Sequence, residues 1–161
     1  MMPVVSVLSR PNGFPMASTF CPTSSPDDVP IGTVRESFSA GASIPRPLVK
    51  DARARLGCAI SAGWGMTENG LATCNGLDDP EEKVVGTDGL PLPGMLLRVV
   101  DDEERDVPTG DEGDLLVKGP AQFVGYFKRP EFTRDGHTGD GWFKTGDRAT
   151  LDSQGYVSIT G

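Results

Sequence analysis

At 161 residues the chain is long enough for one ordinary domain with a hydrophobic core. Its 21 glycines and 14 prolines lie well above average usage, which predicts short strands, many turns and little helix. A net charge of −8, with 15 bases scattered among 23 acids, argues against nucleic acid or an anionic membrane surface as a partner.

Cys21, Cys58 and Cys74 show neither a CxxC spacing nor an even count, so a disulfide framework is not expected and a reducing cytosol fits best. The single histidine, His137, excludes a His-rich metal site. The N-terminus lacks a basic region followed by an apolar run, so no signal peptide is expected. Nor does any apolar run approach the roughly 20 residues needed to span a bilayer. The expectation is a soluble, cytoplasmic protein.

In chain order, residues 1–32 are punctuated by Pro3, Pro11, Pro15, Pro22, Pro26 and Pro30 and read as an irregular, poorly ordered segment. Val34 to Phe38 is a strand candidate that runs into the small-residue loop Ser39-Ala40-Gly41-Ala42-Ser43. Pro45 and Pro47 suit the first turn of a helix, where a missing N–H costs nothing. Leu48, Val49, Ala52 and Leu56 recur near helical spacing, and Gly57 supplies a left-handed stop. A strand from Cys58 to Ala62 then leads into Ser61-Ala62-Gly63-Trp64-Gly65-Met66-Thr67-Glu68-Asn69-Gly70. Here Gly63 and Gly65 flank Trp64, letting the backbone approach a flat ligand and turn sharply. Thr67 offers a hydroxyl and Glu68 a hard oxygen ligand of the kind Mg²⁺ prefers.

After Leu77 the pattern changes to short strands and turns. Met95 to Val100 and Leu115 to Lys118 are expected to form a hairpin across an acidic connection. Ala149 to Leu151 and Tyr156 to Ile159 flank a four-residue turn, Asp152 to Gly155, with glycine where a positive φ falls. His137 reads as a solvated loop residue. The acidic runs Asp78-Asp79-Pro80-Glu81-Glu82 and Asp101-Asp102-Glu103-Glu104 read as solvated turns rather than general acid–base pairs. Cys74 has no histidine with which to build a nucleophile, and Met95 and Trp142 read as core.

Trp64-Gly65-Met66-Thr67-Glu68 resembles the aromatic-Gly-x-Thr-Glu signature of the acyl-adenylate-forming synthetases. Trp142-Phe143-Lys144-Thr145-Gly146-Asp147 resembles that family's Trp-Phe-x-Thr-Gly-Asp segment, and Gly155 to Gly161 the stretch after it. Gly125-Tyr126-Phe127 with Pro130-Glu131 is similar to the Gly-Tyr segment before that Asp. Ser39 to Pro45 is similar to the loop bordering adenine, although Ser43 departs from the usual proline. The four matches stand in the family's order and cover roughly residues 33–161, closest to ligases that join carboxylic acids to coenzyme A.

The resemblance implies an α/β fragment joined to a small antiparallel β subdomain, a partial adenylate-forming synthetase fold. Residues 33–85 would end the large α/β domain and residues 86–161 would form the β-rich subdomain. Gly41, Ala42, Ser43, Trp64, Gly65 and Met66 would border the nucleotide, and Asp147 would hold the ribose. Thr67 would meet phosphate, and Glu68 would hold magnesium.

The implied cofactors are ATP or AMP, Mg²⁺ and, in the complete family member, coenzyme A. The implied partners are a small-molecule carboxylic acid and nucleotide, and the missing synthetase portions. The 161 residues contain neither the family's Ser/Thr/Gly-rich phosphate loop ending in Pro-Lys-Gly nor the later domain with its catalytic lysine. The chain is therefore expected not to be catalytic alone. A non-catalytic remnant, or a β-rich interaction module retaining part of the pocket, is the alternative.

Overall fold

The structure, a computed structural model, describes residues 36–39, 46–56, 59–76 and 78–161. The first 32 residues and the loop residues Gly41, Ala42 and Ser43 lie outside them, as do Gly57, Cys21 and Cys58. Two four-stranded sheets face each other across one core.

The first sheet begins with β1 (Glu36–Ser39), α1 (Arg46–Leu56) and β2 (Ala59–Met66). β1 and β2 pair in parallel, with Ser39 opposite Ala62. A parallel pair needs a crossover, and α1 supplies it, making the α/β unit that the proline-primed helix pattern predicts. Val49 of α1 and Ile60 of β2 are buried together, with Val85 against them.

β2 does not turn at its glycines. It runs straight through Gly63, Trp64 and Gly65 and reverses only at residues 67–69 to pair antiparallel with β3 (Gly70–Cys74). A one-residue irregularity falls between Trp64 and Gly65. Gly65 serves close approach rather than a turn, because a Cβ there would collide with the carbonyl oxygen of Gly70. β4 (Leu90–Pro91) completes the sheet against β3.

The second sheet is an antiparallel meander of β5 (Leu96–Val100), β6 (Glu112–Lys118), β7 (Phe143–Leu151) and β8 (Val157–Ile159). The hairpin expected between Met95–Val100 and Leu115–Lys118 is present, with Leu97 opposite Val117 and Val99 opposite Leu115. Gly155, at φ 86°, ends the 152–155 turn as its position predicts. Period-two alternation aims Leu97, Val99, Leu115 and Val117 inward. There they meet Trp64 and Ala72 from the first sheet. Each fully buried side chain of this size contributes about 1.5–3 kcal/mol. Val100, Leu116 and Trp142 pack on the opposite face, where Arg98 lies over the Trp142 ring at 5.4 Å. Met95 is core as well, 3% exposed.

Two short helices depart from the expectation of strands and turns alone. α2 (Glu81–Gly86) takes over the acidic run, since Glu81 and Glu82 in its first turn favour the positive end of the helix dipole. α3 (Pro130–Asp135) opens on Pro130, which is pre-set for a first helical position. The Asp101–Glu104 run is solvated, and hydrogen bonds from Arg105 hold the Asp101 carboxyl below its ordinary range. Among the described residues no helix is long and apolar enough to cross a membrane.

Candidate functional site

The sequence places Trp64 and Asp147 83 residues apart, and the fold joins them. Trp64 Nε1–H donates to Asp147 Oδ2 at 2.7 Å. The indole is only 9% exposed and belongs to the inter-sheet core, so its ring is clamped while its N–H fixes the carboxylate. The Trp64 backbone N–H donates to Thr73 Oγ1 (3.1 Å), which donates on to the Asp88 carbonyl (2.7 Å). This chain of bonds leads from the motif strand to the segment between α2 and β4.

Asp147 lies inside β7. Opposite it, pairing jumps from Leu116–Lys144 to Asp114–Arg148, so Thr145, Gly146 and Asp147 bulge against Leu115 alone. Gly146 takes φ 82°, and Thr145 Oγ1 secures the bulge by donating to the Leu115 carbonyl (2.8 Å) and accepting from Asp147 N–H (3.1 Å). The Thr-Gly-Asp run is thus a device that turns one carboxylate toward the first sheet.

Thr67 and Glu68 occupy the β2–β3 turn, Thr67 exposed and Glu68 half-buried. Asn69 ties the turn to itself: Met66 N–H donates to Asn69 Oδ1 (3.1 Å) and Asn69 N–H to the Met66 carbonyl (3.2 Å). Asn69 is fully buried. The segment Phe123–Phe127 comes alongside, with Phe123 N–H donating to the Glu68 carbonyl (2.7 Å) and the Tyr126 hydroxyl to Glu68 Oε1 (3.1 Å). The Tyr126 phenol titrates above its ordinary value, because burial and then the Glu68 carboxylate both disfavour a phenolate.

His137 is not the solvated loop residue expected. Its ring stacks on Phe123 (centroids 5.8 Å, 22° between planes) and tilts against Phe143 at 5.3 Å. Its Nδ1 lies 2.6 Å from the Thr133 carbonyl oxygen, which can only accept, so Nδ1 carries the proton. These aromatic neighbours make His137 a supporting residue for the Phe123–Tyr126 segment.

The structure therefore brings Trp64 to Asp147 and Glu68 to Tyr126, while Thr67 stands exposed in the turn. Gly65 and Met66 line the strand between the two pairs. Sequence reasoning missed Asn69, Thr73 and Phe123. Asn69-Gly70 carried a usable signal, since an Asn-Gly pair between strands is a strong hairpin mark, and Gly70 does take φ 61°. Thr73 and Phe123 had none, because their roles exist only through tertiary contact. Among the described residues no three His, Cys, Asp or Glu side chains cluster as a metal cage. Glu68 alone nevertheless suits Mg²⁺, which takes one or two carboxylates and completes its shell with phosphate oxygens and water.

Comparison with known proteins identifies the family. The model of the AMP-binding enzyme family matches residues 12–127, which reaches into the segment read as irregular and stops before Asp147. The medium-chain fatty-acid–CoA ligase of Escherichia coli is 34% identical over 131 residues, 81% of this chain and 23% of that protein. The 2,3-dihydroxybenzoate-AMP ligase of Bacillus subtilis is 39% identical over 122 residues, 75% of this chain and 22% of that protein. Among solved structures, apo MatB from Rhodopseudomonas palustris superposes with a TM-score of 0.75 at 37% identity, covering 81% of this chain and 26% of that one. The chain spans about a quarter or less of the length of these relatives. It belongs to the AMP-binding enzyme family, and its relatives mark that family as one of AMP-forming acid ligases.

Proposed function

We propose that this chain is the adenylate-handling segment of an AMP-forming carboxylic acid–CoA ligase and does not turn over alone. Asp147 accepts the ribose hydroxyls, Thr67 contacts phosphate, and Glu68 is the protein ligand of magnesium. Trp64, Gly65 and Met66, with Gly41, Ala42 and Ser43, border the adenine. When bound, the magnesium ion would neutralise phosphate charge as adenylation proceeds. Transfer of the acyl group to coenzyme A belongs to the complete ligase.

The observation that carries the reading is the 2.7 Å bond from Trp64 Nε1–H to Asp147 Oδ2. It joins the two motifs, and among the described residues Oδ1 of Asp147 makes no hydrogen bond or ion pair, which suits it to a sugar hydroxyl. A carboxylate oriented by a buried donor is preorganised, so little of its binding energy is lost in ordering.

Turnover needs more than this wall. In-line attack on the α-phosphate requires a backbone cradle and cationic side chains, and each missing contact of that kind costs about 10²–10³ in rate. The expected result is no ATP–pyrophosphate exchange above background over a panel of aliphatic and aromatic acids. An acyl-AMP analogue still binds weakly, and Asp147→Ala removes that binding. Turnover abolished by both Glu68→Gln and Asp147→Ala would overturn the claim of inactivity.

A second reading, an interaction module that keeps the wall without using it, is favoured by Val124, Phe127 and Phe132, which stand 103%, 87% and 56% exposed. Analogue binding indifferent to Asp147→Ala would decide for it.

A further inference from the structure

A carboxylate at a turn tip is mobile, and Glu carries considerable rotamer freedom. Something must hold it if Glu68 is to present an oxygen to a cation. The β2–β3 turn fixes only the Glu68 backbone, through the Asn69 bonds. The side chain is held from elsewhere.

The holder is the segment Phe123–Tyr126. It docks on Glu68 at two points, Phe123 N–H on the carbonyl at 2.7 Å and Tyr126 hydroxyl on Oε1 at 3.1 Å. The segment is itself braced by α3. Tyr126 N–H donates to Thr133 Oγ1 (2.9 Å), and Thr133 Oγ1 donates to the Arg129 carbonyl (3.2 Å). Gly125, at φ 144°, lies so close to Thr133 that a Cβ would come within 2.8 Å of its methyl carbon. The Phe123 ring meets Tyr126 edge-on at 4.8 Å and Phe143 at 5.3 Å, so the hydroxyl reaches Glu68 from a fixed support.

Resting on the reading of Glu68 as a magnesium ligand, we propose that Tyr126 is a positioning residue that takes one Glu68 oxygen and so presents the other to the cation. Among the described residues Oε2 of Glu68 makes no hydrogen bond or ion pair. A phenol donating to Oε1 restricts rotation of the carboxylate without adding charge, and Thr133 relays the position of α3 to that donor. Partners of this kind, one step removed from a metal, typically change metal affinity by about 10–100-fold.

The test uses Mn²⁺·ATP as the probe and water-proton relaxation enhancement as the readout, on the full 161-residue chain. Tyr126→Phe is expected to weaken Mn²⁺·ATP binding roughly 10-fold. It should leave the thermal midpoint and the binding of a metal-free acyl-AMP analogue unchanged, because Tyr126 is 39% exposed and its hydroxyl bonds Glu68 rather than Asp147. Thr133→Val should weaken Mn²⁺·ATP binding in the same direction by less. Wild-type affinity in Tyr126→Phe, with binding lost in Glu68→Gln, overturns the positioning role and leaves the reading of Glu68 standing. Wild-type affinity in Glu68→Gln, or no enhancement by the wild-type chain at millimolar probe, overturns both. Parallel loss of analogue binding and thermal midpoint in Tyr126→Phe shows a structural role only and overturns the proposal.

Discussion

The two sheets are built on different physics. The second encloses fully buried Leu97, Leu115, Val117 and Val157, whose burial is non-directional and depends on volume. Around the first, the buried residues include Ser61, Asn69, Thr73, Asn75 and Thr87, and geometry is set by directional hydrogen bonds. Asn75 alone donates to the Ala62 and Thr87 carbonyls (3.3 and 3.1 Å) and accepts from Thr87 Oγ1 (3.3 Å). The carboxylate with the longer support chain, Glu68, belongs to the hydrogen-bonded sheet, and Asp147 is delivered by a bulge in the packed one.

Breaking the packed half should cost most stability. Leu115→Ala removes a side chain of 0% exposure and is expected to lower unfolding free energy by about 2–5 kcal/mol, read from urea denaturation. Asn75→Ala should cost less, about 1–3 kcal/mol, because it strands buried carbonyls without opening a large cavity. Its second signature sharpens the contrast: hydrogen exchange should accelerate along β2 and residues 87–89 and stay slow in β5 and β6. An Asn75→Ala loss exceeding that of Leu115→Ala, or exchange accelerating equally in both sheets, would show that the sheets do not differ in kind.

The same difference decides what the sequence made legible. The second sheet was readable from Leu97 alternating with Val99 and Leu115 with Val117, and from Gly155 after a polar turn. α1 was readable because Pro45 and Pro47 mark its start. β2 (Ala59–Met66) was read only as far as Ala62 and β3 not at all, because Gly63, Gly65 and Ala72 give no alternation and the pairing depends on Gly65 admitting the Gly70 carbonyl. α2 and α3 span six residues each, too few for a 3.6-residue period to declare itself. Site residue types were legible through their motifs. Their partnerships, Trp64 with Asp147, Glu68 with Tyr126 and His137 with Phe123, arise only in three dimensions.

The smallest expected effect lies at the seam where the two kinds of sheet meet. Lys83 of α2 pairs with Asp152 of the β7–β8 turn at 2.6 Å and lies over the Tyr156 ring at 5.1 Å. Asp152 Oδ1 also accepts the backbone N–H groups of Gln154 (2.8 Å) and Tyr156 (3.0 Å). Partial burial pushes this carboxyl up, but the Lys83 ammonium and the two N–H donors outweigh it, and it titrates below its ordinary value of 3.8. A carboxyl depressed in the folded state contributes stability above its unfolded value, and that contribution is lost as pH falls through the folded one. Asp152→Asn keeps an oxygen for the backbone donors and removes only the charge. At neutral pH it should cost at most about 1 kcal/mol, the range of a partly exposed ion pair. The difference in urea midpoint between wild type and variant should shrink as pH is lowered from about 7 to about 2, since the wild-type carboxylate is then protonated as well. Asp101, Glu112 and Asp140 are also depressed, so both proteins lose stability in acid, and only the difference isolates Asp152. A gap that stays constant with pH would mean that the backbone bonds of Asp152, and not its pairing with Lys83, hold the directional half against the packed one.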